Sequence, residues 1–206
     1  AARNLVKHGL RVEERDWADV DSHAGLQISE DWRQTKKTKH GELKVMTRPP
    51  TFENEWAVRK FYCYKGDELL GFVFFDPFFE NGKTIGYTAN ILRSKPEATE
   101  NGLLDYVILE AMKVFKAEGV KFVSLGLSPL HNVEPDPREN RVVRKLLEAT
   151  WKYGNFFYSF QNLSFHKRRY RVAESKLYAC TSETFNPIVG LIMILKTCGI
   201  LPQTWN

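Results

Sequence analysis

Val58-Arg-Lys-Phe-Tyr-Cys-Tyr64, Glu68-Leu-Leu-Gly-Phe-Val-Phe-Phe75 and Thr84-Ile-Gly-Tyr-Thr-Ala-Asn-Ile-Leu-Arg93 are three runs dense in aromatic and β-branched residues. Such residues suit the half-buried surface of a pleated strand. Lys65-Gly66-Asp67 parts the first two, and Asp76-Pro77 with Glu80-Asn81-Gly82-Lys83 parts the second from the third. Asn-Gly between two β-rich runs is a strong hairpin signal. The stretch predicts an antiparallel meander, its second strand ending at Asp76-Pro77.

Toward the C-terminus the period changes. Leu104, Val107, Ile108, Ala111, Met112 and Phe115 make one apolar stripe at helical spacing, and Gly119 ends that helix. Lys121 to Gly126 reads as a strand, so the unit is strand–helix–strand and its two strands should run parallel. A loop with three prolines spans 127–137. A basic amphipathic helix is predicted over 138–153, ended by Gly154, then an aromatic and basic mixture over 156–171. A strand is predicted over 175–180. Asn186-Pro187 opens an apolar helix over 188–198, for which core packing is predicted; its other use is to rest on lipid.

Toward the N-terminus, residues 2–8 predict a short helix stopped by Gly9, followed by a polar extended stretch to Asp21. Ser29-Glu30-Asp31-Trp32 reads as the capped start of a helix running to Lys39, acidic first and basic last as the dipole prefers. A strand over 42–47 is broken by Arg48-Pro49-Pro50. The expectation is an α+β fold with a mixed, mostly antiparallel sheet and helices on both faces. The expected parts are a linker helix and extended segment at 1–25, a main domain at 26–184 and a terminal apolar helix at 185–206.

Composition narrows the classes. The 206 residues suit one domain, or one plus a fragment, and 14 Phe, 8 Tyr and 5 Trp supply large rings for its core. A formal charge of +5 is compatible with an anionic partner such as RNA, a phospholipid headgroup or CoA. Cys63, Cys180 and Cys198 lie far apart, which reads as reduced, buried thiols in a cytoplasmic protein. The five histidines have no metal-ligand spacing, so no metal is expected. No stretch approaches the ~20 apolar residues of a spanning helix, and no signal-peptide core is present at the N-terminus.

A meander followed by strand–helix–strand resembles the acyl-CoA N-acyltransferase (GNAT) layout. Enzymes of that type bind the CoA pyrophosphate with a glycine-rich turn at a helix N-terminus. The matching turn here, Ser94-Lys-Pro-Glu-Ala-Thr-Glu-Asn-Gly102, has one glycine, two glutamates and a proline without an amide donor. Two carboxylates repel a pyrophosphate, so CoA is disfavoured.

Gly102-Leu103-Leu104-Asp105, Glu118-Gly119 through Phe122 and Leu125-Gly-Leu-Ser-Pro-Leu130 resemble the C-terminal catalytic domain of phosphatidylglycerol lysyltransferases. Ile28 to Trp32 is similar to that family's first helix. Phe157-Tyr158-Ser159-Phe160 with Leu163 and Phe165-His166-Lys167 resembles its aromatic-then-lysine segment, and Glu174 to Ala179 the strand after it. The likeness runs over about residues 26–180 as ordered motifs. Where the family has an Asp three residues before an Arg, this chain has Asn90 and Arg93. In the family the domain pairs two GNAT-like halves, and this chain resembles the second.

The resemblance implies transfer of an amino acid from aminoacyl-tRNA to a lipid (phosphatidylglycerol-like) or other hydroxyl, with no cofactor, in the cytoplasm or at the inner face of the cell membrane. Implied partners are aminoacyl-tRNA, an anionic phospholipid surface and a preceding GNAT-like half. Asp105, Arg93, Lys167 and His166 are its candidate catalytic residues. Asn90, Gly126, Ser128, Tyr158, Arg169, Glu42 and Glu174 are candidate substrate-binding residues. Several also have an ordinary reading: Arg93 as a surface salt bridge, Asp105 as a helix-start carboxylate, Gly126 as a strand-ending turn, Glu42 and Glu174 as surface acids. The segment Phe165 to Arg171 interleaves four positives with rings, which suits a phosphodiester with base stacking as well as a solvated basic turn. Two other functions fit the chain: an acyl-CoA-dependent N-acyltransferase, and a non-catalytic module binding anionic lipid or RNA.

Overall fold

In the computed structural model, the described residues are 2–35, 47–135, 140–154, 159–178 and 186–198. The chain forms two compact units, one of residues 1–42 and 47–126, the other of residues 43–46 and 127–206.

The first unit opens with α1 (Ala2–Lys7), which ends where Gly9 takes a φ of +77°. The sheet comprises β1 (Leu10–Glu14), β2 (Arg59–Lys65), β3 (Glu68–Glu80), β4 (Lys83–Ser94) and β5 (Phe122–Ser124), in spatial order β1-β2-β3-β4-β5. The first four pair antiparallel, and β5 pairs parallel to β4, as a helical crossover demands. That crossover is α3 (Leu103–Ala117). It closes where Gly119, at φ +77°, lets the Val120 amide reach the Phe115 carbonyl at 2.9 Å. The hairpin at Asn81-Gly82 is made as expected, both residues having positive φ and Glu80 facing Lys83.

Alternation along the strands sends their rings to two faces. On one, Phe61 and Phe75 meet Phe115 of α3 edge-on, and Tyr87 stacks on the same ring at 4.6 Å. On the other, Tyr62, Phe72, Phe74 and Ile91 pack with Phe52 and with Ile28 of α2 (Ser22–Gln34). Helices on both faces of a mixed, mostly antiparallel sheet form the α+β, GNAT-like fold expected. Cys63 is buried within it, its thiol pushed up to about 12 by burial, which leaves it unreactive.

Three expectations for this unit are corrected, and two fall largely outside the described residues. Residues 10–14 form an edge strand and Trp17–Asp19 a 3-10 turn rather than one extended stretch. The helix expected from Ser29 starts at Ser22, because the Asp21 carboxylate caps the Ala24 amide at 3.1 Å; Ser29 lies mid-helix. That helix reaches Gln34, and 36–39 lie outside the described residues. The strand β3 continues through Asp76-Pro77 to Glu80. Its partner β2 ends opposite Phe75, so Pro77 stands where β3 has a neighbour on one side only, and its missing amide is tolerated there. The strand expected over 42–47 lies outside the described residues except Thr47, which has no regular structure.

Gly25 of α2 faces the Phe52 ring. A Cβ built there would stand 2.1 Å from Phe52 Cζ, and Phe52 is itself fixed against Phe72 and Phe74. Alanine is the better helix former by about 1 kcal/mol, yet Gly25→Ala is expected to destabilise by about 1–3 kcal/mol through overpacking. An unchanged or raised denaturant midpoint would contradict this.

The second unit contains α4 (Arg141–Tyr153), α5 (Phe160–Arg168) and α6 (Pro187–Thr197). Asn140 caps α4 and Asn186 caps α6, each accepting from two backbone amides. The expected start of α4 at 138 moves to 141 because Asn140 is the cap; 136–139 lie outside the described residues. The strand expected over 175–180 is not formed at 175–178, where Leu177 and Tyr178 are each 72% exposed; 179 and 180 lie outside the described residues. Core packing of the last helix is also corrected: α6 leaves Ile188, Val189, Ile192, Met193 and Ile194 exposed. Cys198 is buried as expected.

Candidate active site

Within the first unit, the α2 face of the sheet carries a buried polar cluster. Arg93 lies near the end of β4, beyond the reach of β5, which pairs only with Gly86 to Thr88. Its side chain is 3% exposed and not the surface group of the ordinary reading. The guanidinium stacks 3.9 Å from the Trp32 ring, and its Nε donates to Ser29 Oγ at 3.3 Å. Ser29 also lines a cleft of about 250 Å³ bounded by Leu26, Glu30, Arg33, Pro49 and Pro50. Trp32 and Ser29 lie one turn apart on α2, which is why one helix face can hold one arginine.

Asn90 sits at a β-bulge, where the pairing steps from Phe74–Ile91 to Phe75–Ala89 and leaves it unpaired. Bulges re-aim side chains, and this one turns the Asn90 amide onto Asp76, to which its Nδ2 donates. Arg48 Nη2 donates to Asp76 at 2.8 Å, and Arg48 pairs with Glu55 at 2.6 Å. Glu55 in turn holds Lys60 at 2.8 Å. The Lys60 ammonium, 5% exposed, also donates to the Thr51 and Glu53 carbonyls at 2.6 and 2.8 Å. Glu55→Gln would strip two cations of one counter-charge, with a loss of about 3 kcal/mol read as a lower denaturant midpoint. A variant as stable as the parent would refute that. Asp105 lies half-buried in the first turn of α3, where the dipole favours a carboxylate. Gly126 has a φ of +74°, and its amide donates to Ser124 Oγ at 3.0 Å.

The turn at 94–102 borders a second cleft of about 230 Å³, lined by Lys65, Glu68, Leu70, Lys95, Glu97 and Glu100. Its lysines are engaged, Lys65 with Glu100 at 2.8 Å and Lys95 with Glu68 at 2.5 Å.

In the second unit, Lys167 closes the last turn of α5. Its Nζ donates to the Leu127 carbonyl at 2.8 Å, and burial pushes the ammonium down to about 8. Near-neutral lysines suit proton transfer. The adjoining loop turns sharply: Leu130 and Asn132 both have positive φ, and the His131 amide donates to the Ser128 carbonyl at 3.3 Å. Non-glycine residues in that region are strained and cluster at functional sites. The His131 imidazole lies 3.4 Å from Glu174 Oε2, and its ring centroid is 5.8 Å from that of Trp151. Arg168 reaches the other Glu174 oxygen at 4.0 Å.

Lys167, Ser128 and Glu174 thus belong to one unit, Ser128 and Glu174 touching a histidine, His131, that sequence reasoning passed over. His166 and Arg169 are exposed on the far turn of α5, the His166 ring 6.3 Å from that of Tyr170. Arg93, Asn90, Asp105 and Gly126 belong to the first unit. Glu42 and Tyr158 lie outside the described residues. Asp76 and Arg48 also escaped the sequence reading, because Asp-Pro and Arg-Pro-Pro read as breaks. Among the described residues, no group of three His, Cys, Asp or Glu is placed to hold a metal. Nor is any described helix long and apolar enough to cross a membrane.

The family model described as phosphatidylglycerol lysyltransferase, C-terminal, matches residues 1–181. An uncharacterized protein of Corynebacterium glutamicum is 22% identical over 200 residues, which cover 92% of this chain and 24% of that protein. The chain therefore spans about a quarter of that curated relative. Among solved structures, L-PGS from Bacillus licheniformis superposes with a TM-score of 0.70 at 15% identity, over 96% of this chain and 57% of that one. The C-terminal domain of a putative lysylphosphatidylglycerol synthetase from Agrobacterium fabrum gives 0.53 at 18% identity, over 75% and 45%. At these identities the two structures speak to the fold.

Proposed function

The chain belongs to the phosphatidylglycerol lysyltransferase C-terminal family, and from that premise we propose that it moves an aminoacyl group from aminoacyl-tRNA to the hydroxyl of an anionic phospholipid. The reaction needs no nucleotide triphosphate or metal, because the aminoacyl ester is already activated. The protein has to bring ester and hydroxyl together and stabilise the tetrahedral oxyanion. In this reading Lys167 and Arg169 supply positive charge, Arg93 holds a phosphate or carboxylate, and Asp105 and His166 carry protons. Work at the inner face of the cell membrane follows from the acceptor. The observation that carries the proposal is the family match, which runs through α3, the Gly126–Leu130 loop and α5. The carboxylates at the 94–102 turn support a donor other than acyl-CoA.

The test is incubation of the protein with a mixture of charged tRNAs and extracted lipids, followed by mass analysis. The expected product is an amino-acid-modified phospholipid that disappears when the tRNA is deacylated. Acyl transfer from acyl-CoA in its place would overturn the proposal.

A further inference from the structure

The amphipathic helix α4 has an outer face that is exposed, with nothing among the described residues seated on it, and no residue of the helix is fully buried. At 3.6 residues per turn, Val142, Leu146, Ala149 and Tyr153 fall within an arc of about 60°. Val142 is 61% exposed, Leu146 40% and Tyr153 70%, and Ala149 is exposed as well. Immediately beside this apolar line runs a basic one, Arg141, Lys145 and Lys152, all exposed, with Glu148 as the acidic neighbour. The opposite face is seated: Val143, Leu147 and Trp151 are half-buried, and Gln161 of α5 donates to the Trp151 carbonyl at 2.8 Å. The helix is thus fixed from within and, among the described residues, exposed outside.

We infer that α4 lies in the plane of an anionic lipid surface, its apolar line among the acyl chains and its basic row against the headgroups. An apolar stripe flanked by Lys and Arg on a helix of low overall hydrophobicity is the signature of interfacial binding, and the row of cations complements a negatively charged leaflet. Four side chains in one line fall far short of the roughly 20–30 residues a side of a stable protein–protein interface. A nucleic acid would engage the basic row and leave the apolar line without a role. The inference deepens the proposed function and rests on it for the chemistry of the surface. It assigns to α4 the docking of the protein onto the membrane that holds its acceptor.

The experiment is flotation of the 206-residue protein with phosphatidylcholine vesicles, with and without phosphatidylglycerol. The protein should float with the mixed vesicles and stay behind with the neutral ones. Val142→Glu and Leu146→Glu should each weaken binding about tenfold or more, since a charge replaces an inserted side chain. Lys145→Glu combined with Lys152→Glu should abolish the preference for phosphatidylglycerol. The substituted positions are exposed, so unchanged thermal unfolding checks that the fold is intact. Equal binding by parent and variants would overturn the inference. So would loss of tRNA binding with vesicle binding retained, or a dimer that dissociates on Leu146→Glu. Transfer to a short-chain, dispersed phosphatidylglycerol separates the two ideas. If Leu146→Glu keeps that transfer but no longer floats, the role of α4 is supported. If the parent floats yet transfers to neither lipid form, the proposed function fails and the docking role stands.

Discussion

Lys167→Met is expected to lower the rate of aminoacyl transfer by about 10²–10³-fold while making the protein more stable at pH 7. Both effects come from one feature. Burial pushes the Lys167 ammonium from 10.5 down to about 8, while its Nζ remains bonded to the Leu127 carbonyl. The native state therefore gives up this proton earlier than the unfolded chain does. Between about pH 8 and 10.5 the unfolded chain binds more protons, so stability rises with pH across that window. Below it, the full cost of the buried charge is present. Methionine keeps most of the apolar stem and removes the charge. Urea midpoints at pH 7 and pH 10 should show the variant ahead at pH 7 and the two proteins converging at pH 10. A variant that is less stable at pH 7, or fully active, would refute the assignment.

Phe115→Ala should cost about 3–5 kcal/mol, the usual range for emptying a buried phenylalanine site. Phe115 of α3 touches Phe61, Phe75 and Tyr87, with ring centroids 4.6 to 5.6 Å away, and the Arg59 guanidinium lies 5.1 Å from its centroid. Those partners come from β2, β3 and β4, so the cavity would open under three strands at once. The expected readout is a large fall in the denaturant midpoint with an unchanged slope. Phe115→Leu should recover most of the loss. A cost below about 1 kcal/mol would mean that the helix settles into the gap, contrary to close packing.

The meander was legible because its signals are local. Asn81-Gly82 needs positive φ, and the apolar stripe of α3 and the parallel pairing of β4 with β5 follow from spacing and connectivity. Elements fixed by distant partners were not legible. The strand Leu10-Arg-Val-Glu-Glu14 looks polar because it is an edge that pairs only with β2. Ser29-Glu30-Asp31 imitates a cap, but Asp21 holds that role and Ser29 meets Arg93 across 64 residues of sequence. Residues 175–178 alternate like a strand and find no strand to pair with among the described residues. The candidate site divides the same way. The segment holding Lys167 stood out by composition, whereas His131 acquires its interest from Glu174, Trp151 and two left-handed neighbours that no spacing announces.

Lys60 has a bearing on how the meander finds its alignment. Side chains alternate between faces, so sliding β2 by one residue would carry its ammonium from the carbonyls of Thr51 and Glu53 to the Phe115 side of the sheet. There it would lose its oxygen ligands and stand among aromatic rings, while Phe61 would vacate its seat. A single embedded cation thus acts as a proofreading tooth. It adds little to the depth of the correct basin, but raises the nearest wrong one well above it.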